Sequence, residues 1–242
     1  MGVTWLRWAE FCADFSILRY NSCAVIEAFR VIVKTVKDVW GDMFMLVLMN
    51  LFTLLCTVVV IPGPPAWAAL YAMCNRIANE YAVSWDGYFE AFRKYFGKSW
   101  LYFVLLAVVS ALIVVNFFWY GQVFGDQVWV AWVRGAWLAV GFFWLVVNFY
   151  VWPFLMEQED KRWRVALRNS ALIAAANPLF TLTLLIVLGI VLGVSLVLTP
   201  VFVLMGLAIF AMTGSEAVVN RVTVYRKRLA AEADATSQAG KA

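Results

Sequence analysis

The chain contains no histidine. That removes HExxH-type zinc sites, histidine-activated nucleophiles and imidazole proton relays. Charge is scarce: 14% of the 242 residues are Asp, Glu, Lys or Arg, against about a quarter in an ordinary soluble domain. Cysteine is scarce too. Cys12, Cys23, Cys56 and Cys74 show no CxxC spacing and lie in apolar or amphipathic stretches. They read as small buried apolar residues and imply neither a disulfide framework nor a metal site. There is no P-loop and no GxGxxG, so no cofactor and no nucleic-acid partner is expected. Arg7, Glu10, Asp14 and Arg19 interrupt the first twenty residues, which leaves no clean apolar core for a signal peptide. Insertion would then be directed by the first real span.

What remains is apolar and organised. Hydrophobic residues make up 64% of the chain and the mean hydropathy is +0.82. No charge falls between Ser99 and Gly125, and none between Asn169 and Ser215. The second run, about 47 residues, would be roughly 70 Å long as one helix. A hydrocarbon core is about 30 Å thick, so the run must fold back, and Pro200 is the natural place. The thirteen Trp and nine Tyr bunch in pairs such as Trp119–Tyr120 and Tyr150–Trp152, as amphipathic rings do at membrane interfaces. The fold class is all-α: a polytopic membrane helix bundle.

Periodicity divides the chain into an amphipathic N-terminal part, 1–41, a transmembrane part, 42–220, and a basic tail, 221–242, whose end is expected to be disordered. Residues 3–20 and 22–40 read as two amphipathic helices. In the second, Ile26, Phe29, Val33, Val36 and Trp40 form an apolar stripe, while Glu27, Arg30, Lys34 and Lys37 form a charged one. Such a helix either lies on the cytoplasmic membrane surface or packs against the spans. The first span runs from about Met43 to Ile61 and ends in Pro62-Gly63-Pro64-Pro65. A short helix, Ala66 to about Glu80, starts from these prolines. Ser84 or Asp86 caps an interfacial helix that feeds the second span, Trp100–Tyr120. The third span is about Val128–Pro153. A charged stretch, Glu157–Arg168, precedes a fourth span opened by Asn177-Pro178 and a fifth opened by Pro200.

Basic residues set the topology. Segments 62–99, 157–178 and the tail carry Lys and Arg, whereas loop 121–127 and the Pro200 turn carry none. The positive-inside rule puts the former in the cytoplasm. The N-terminal basic residues agree only if helix 66–80 also returns the chain across the membrane. Shielded by protein, a short Ala-rich helix can do so. Two topologies fit: six penetrating helices (five full-length spans plus one short) with both termini cytoplasmic, or five crossings with the N-terminus outside. The basic-residue count favours the first.

The polar residues inside the spans are Asn50, Asn116 and Asn148, with Arg134 about two turns inside the third span and Glu216 near the inner end of the last. Amides there either bridge helices or line a solute path. Arg134 is expected to snorkel to the outer interface. The run Glu157 to Arg164 reads as a solvated loop or as a docking surface for a cytoplasmic partner.

Several short motifs stand in a fixed order: Asn50-Leu51-Phe52, Pro62-Gly63-Pro64, Ala68-Ala69-Leu70-Tyr71, Phe89-Glu90-Ala91-Phe92-Arg93, Asn169-Ser170-Ala171 and Asn177-Pro178-Leu179-Phe180. Over about residues 40–220 this series resembles the YesL-like family of bacterial integral membrane proteins. The resemblance implies a protein of the bacterial cytoplasmic (inner) membrane, and because the chain shows no cluster of acids or nucleophiles, no enzyme is expected. Its members are often encoded near carbohydrate-uptake and glycan-degradation genes, which implies a role as accessory to, or scaffold for, sugar uptake. The expected partners are the lipid bilayer and membrane transport components, or a second copy of the chain. A small-solute transporter or channel is the alternative, with Asn50, Asn116 and Asn148 facing a common cavity. The likeness supplies no catalytic residue.

Overall fold

The computed structural model describes residues 21–125, 127–158 and 161–239. The expected helix at 3–20 lies outside them. Among the described residues there are eight helices and no strand: α1 (Asn21–Gly41), α2 (Met43–Val59), α3 (Gly63–Ala78), α4 (Trp85–Phe124), α5 (Val128–Glu157), α6 (Trp163–Ala176), α7 (Pro178–Val197) and α8 (Thr199–Ala239). Four stretches are long and apolar enough to cross a membrane: α4, α5, α7 and Val203–Lys227 within α8. A fifth results if α1 and α2, which meet at 90°, act together as one broken span. α2 alone has 17 residues, so the expected independent first span is shorter than foreseen.

The centre of the bundle is α3. The turn before it is made by Val60, at φ 69, and by Pro62, and Pro64 falls in its first turn. Proline there forfeits only N–H groups that have no helical partner anyway. Ala66, Ala68, Ala69, Leu70 and Cys74 are wholly buried. α2, α4, α5 and α8 surround the helix. Small side chains let these neighbours come close, which is how helices associate where lipid removes the usual hydrophobic drive.

α4 begins where Ser84 accepts a hydrogen bond from Gly87 N at 3.2 Å, the cap expected from the sequence. It then runs unbroken for 40 residues. The interfacial helix and second span of the sequence reading are therefore one rod. Its distal half pairs with α5 as a hairpin. The indole of Trp144 donates to Ser110 Oγ at 3.2 Å, and Arg134 lies over the Phe117 ring at 4.7 Å.

α5 continues through Pro153 to Glu157. Proline removes the bond to the carbonyl four residues back, which here is Phe149. Gly214 of α8 sits against both: a Cβ at that position would lie 3.1 Å from Pro153 Cγ and 3.3 Å from the Phe149 carbonyl oxygen. Glycine is required there by contact. α8 itself exceeds expectation. Nothing breaks the helix at Asn220, and its backbone stays helical to Ala239.

α1 is turned opposite to the simplest reading of its stripes. Ala24, Ala28, Val31, Thr35 and Val39 are buried against α7 and α8. The large residues Ile26, Phe29, Val33, Val36 and Trp40 point outward, Trp40 with 76% of its surface exposed. The helix packs on the spans, the second of the two placements considered. The face with Ala24, Ala28, Glu27 and Lys34 is the one that docks, while Arg30 and Lys37 stay exposed.

Candidate functional site

The inward charges of α1 meet those of α8. Arg221 Nη1 lies 2.8 Å from Glu27 Oε2, and both side chains are at least 87% buried. One and a half turns away along α8, Glu216 Oε2 lies 3.1 Å from Lys34 Nζ. Lys34 also donates to the Ala78 carbonyl oxygen at the end of α3, at 3.0 Å. Arg221 stacks on the Phe180 ring at 3.6 Å from its centroid, tying α7 into the same seam. Buried charges are tolerated only when matched and hydrogen-bonded. The seam thus fixes how α1 is rotated on the bundle. The sequence carried one signal for it: Glu216 ends the charge-free run that begins at Asn169, five residues before Arg221. Their partners lie on the first described helix, far away in sequence.

A third cluster caps the same end of the bundle. Glu157 accepts from the side-chain amides of Asn75 and Asn79 at 3.3 and 3.2 Å and faces Arg226 at 3.7 Å. Lys161, in the α5–α6 loop at φ 47, donates to the Met156 carbonyl oxygen. Burial pushes the Lys161 ammonium below the ordinary lysine value. Glu157 opposes that shift, while Lys94 and Lys98 add to it.

Between α2, α3, α4, α5 and α8 lies a cavity of ≈ 480 Å³. Its walls are mostly aromatic. Tyr71 of α3 stacks on Trp152 of α5 at 6.1 Å. Tyr102 of α4 stands edge-on to Trp152 and lies flat on Trp163 of α6, 4.4 Å between centroids. Polar atoms reach it from Thr57, Ser99 and Asn148. Tyr102 donates its hydroxyl hydrogen to Asn148 Oδ1, and Asn148 Nδ2 donates to the Trp144 carbonyl oxygen at 2.6 Å.

The residues singled out from the sequence do not form one site. Gly63, Pro64 and Tyr71 line the cavity together with Asn148. Ala69 and Leu70 are buried in the α3 core. Pro62 shapes the turn. Phe92 packs edge-on to Phe96, and Arg93 is exposed on α4. Asn169 is buried in α6, while Asn177 and Pro178 open α7. Asn50 grips α8, its Nδ2 donating to the Val203 carbonyl oxygen at 2.7 Å and its Oδ1 accepting from Ala208 N at 2.9 Å. Asn116 bonds back to its own helix at the Leu112 carbonyl oxygen, 2.7 Å away. Of the three amides only Asn148 reaches the cavity, so the shared path required by a transporter reading is not formed by them. Arg134 packs over Phe117 and beside Gly121, where a Cβ would lie 3.1 Å from its Nη1. Sequence reasoning missed Tyr102, Trp152 and Trp163. They were read as interfacial or left aside, because nothing local says which aromatic rings converge across three helices.

No curated protein and no solved structure matches the chain. A family model described as "Protein of unknown function, DUF624" matches residues 43–117, the stretch that holds α2, the proline turn, α3 and most of α4.

Proposed function

We propose that this is a non-enzymatic protein of the bacterial cytoplasmic membrane that acts as an accessory to, or scaffold for, a carbohydrate-uptake system. The carrying observation is how its intramembrane polar groups are engaged. Asn50 joins α2 to α8, Tyr88 bonds Thr53 and the Ala66 carbonyl oxygen, Tyr150 bonds Thr181, and Asn148 bonds Tyr102. Side chains used in this way hold helices together; they do not form a relay or a lined pore. The sugar-uptake assignment is the finer step, and it draws on the YesL-like resemblance. Both termini are taken as cytoplasmic on the basic-residue count; the Trp100 indole donates to the Ile61 carbonyl oxygen at 3.0 Å, so α3 returns the chain from a turn level with the start of the second span and does not itself cross.

The docking element in this reading is the α4–α5 hairpin. Only 6% of the apolar window of α4 is buried, against 50% for α5, so its distal half offers a broad side to transmembrane helices of a transporter. Purification from native membranes in mild detergent tests the proposal. Co-isolation of transport components is the expected result. Repeated recovery of the protein alone counts against it.

A further inference from the structure

The cavity and the basic cluster share one wall. Lys94, Lys98, Tyr102 and Leu106 follow one another at four-residue spacing on α4, so they form a single stripe along the helix. The first half of the stripe is cationic and the second half lines the cavity. Lys98 and Tyr102 are separated by about one helical turn, roughly 6 Å. Lys161 comes in from the α5–α6 loop, two residues before the Trp163 ring that covers Tyr102. Lys94 and Lys98 act on Lys161 as repelling neighbours. Glu157 answers part of this charge, but three ammonium groups outnumber it, and a bound anion would offset the remainder. The indole N–H of Trp163 is also buried with no hydrogen-bond partner among the described residues.

Another side of the cavity is different. Its rim carries Val60, Phe103 and Leu145, which are 59%, 44% and 65% exposed. Phe103 and Leu145 lie in the apolar stretches of α4 and α5, so this mouth opens sideways towards lipid chains. The volume of ≈ 480 Å³ falls inside the range of about 300–1,000 Å³ usual for small-molecule sites. An occupant must be apolar along most of its length and anionic at one end.

We infer that the cavity between α3, α4 and α5 holds a chain of an anionic phospholipid, whose phosphate is gripped by Lys94, Lys98 and Lys161. On the positive-inside topology this lipid belongs to the cytoplasmic leaflet, where anionic headgroups concentrate. The inference requires only that the bundle be embedded in a membrane; it does not depend on the docking role of the hairpin.

The test uses the full chain in mild detergent, supplemented with phosphatidylglycerol, with phosphatidylcholine of the same chains, or with inorganic phosphate. Bound lipid is counted by native mass spectrometry. Phosphatidylglycerol should be retained in preference to phosphatidylcholine, and inorganic phosphate should not displace it. The K94A/K98A/K161A variant should lose phosphatidylglycerol affinity by about fivefold per lysine and phosphatidylcholine affinity by less, because choline already balances that lipid's phosphate. Leu106→Trp should fill the cavity and reduce retention of both lipids. Leu145→Trp, at the exposed rim, serves if that variant does not fold. Equal retention of the two lipids by the wild-type chain would overturn the inference. So would unchanged phosphatidylglycerol binding in the lysine variant. Displacement by phosphate alone would reassign the lysines to a free anion.

Discussion

α3 and the distal half of α4 are both apolar helices, yet α3 is buried on nearly every side and the other is exposed on nearly every side. Hydrophobicity would sort them the other way, since the buried α3 is the less apolar of the two and carries Asn75 and Arg76. Side-chain size separates them. α3 offers Ala66, Ala68, Ala69 and Ala72, whereas α4 offers Leu101, Phe103, Val104, Leu105 and Val108. In lipid, an apolar side chain gains little by leaving the bilayer for the protein interior, because both are apolar. Close approach of backbones decides instead, and small residues permit it. Large branched side chains are left to the lipid.

Three substitutions and one titration sharpen or break that contrast. The largest effect is expected where the interior holds charge. Arg221→Ala removes the guanidinium from a buried carboxylate and should cost about 3–5 kcal/mol, measured by unfolding in mixed micelles. The E27Q/R221M double variant should recover much of the loss, because neither partner is then a stranded ion. If the single and double variants are equally destabilised, the seam is not a matched pair. Next comes Ala69→Leu in α3, where the site is wholly buried. Overpacking there should cost about 1–3 kcal/mol. Val115→Leu on α4, 60% exposed, should change stability by less than about 0.5 kcal/mol. Equal costs for these two would remove the distinction between the helices.

The smallest effect concerns Lys161. Its pKa in the folded protein lies below the ordinary value of 10.5, so folding favours the neutral amine. The unfolded chain therefore binds the proton more tightly. Stability should rise with pH between the lowered folded value and 10.5, where the unfolded lysine titrates, and this gain should be absent below that window. Comparing the pH dependence of unfolding in the wild type with that in Lys161→Met checks it; identical slopes would show that the loop does not bury the amine.

Much of the frame was legible. The charge-free runs located α4, α7 and the apolar part of α8, the apolar stretch Val128–Pro153 located α5, and prolines marked the starts of α3 and α7. Ser84 announced its cap. These signals are local, and either the bilayer or the backbone reads them residue by residue. The rotation of α1 was not legible, because Glu27 and Lys34 have partners 194 and 182 positions away; the apolar stripe, taken alone, points to the wrong neighbour. The cavity was hidden for the same reason. Tyr71, Tyr102 and Trp152 each look like an interface residue until three helices bring them together. The length of α8 was missed because a polar sequence after Asn220 resembles a tail, although it contains no helix breaker.

The seam between α1 and α8 also has a consequence for biogenesis. Glu216 and Arg221 leave the ribosome 182 and 194 residues after Lys34 and Glu27. At about 5–20 residues per second, about ten seconds or more pass before α1 meets its counter-ions. During that interval it must wait at the membrane surface or in the keeping of an insertion factor. A chain truncated before α8 should leave α1 unanchored.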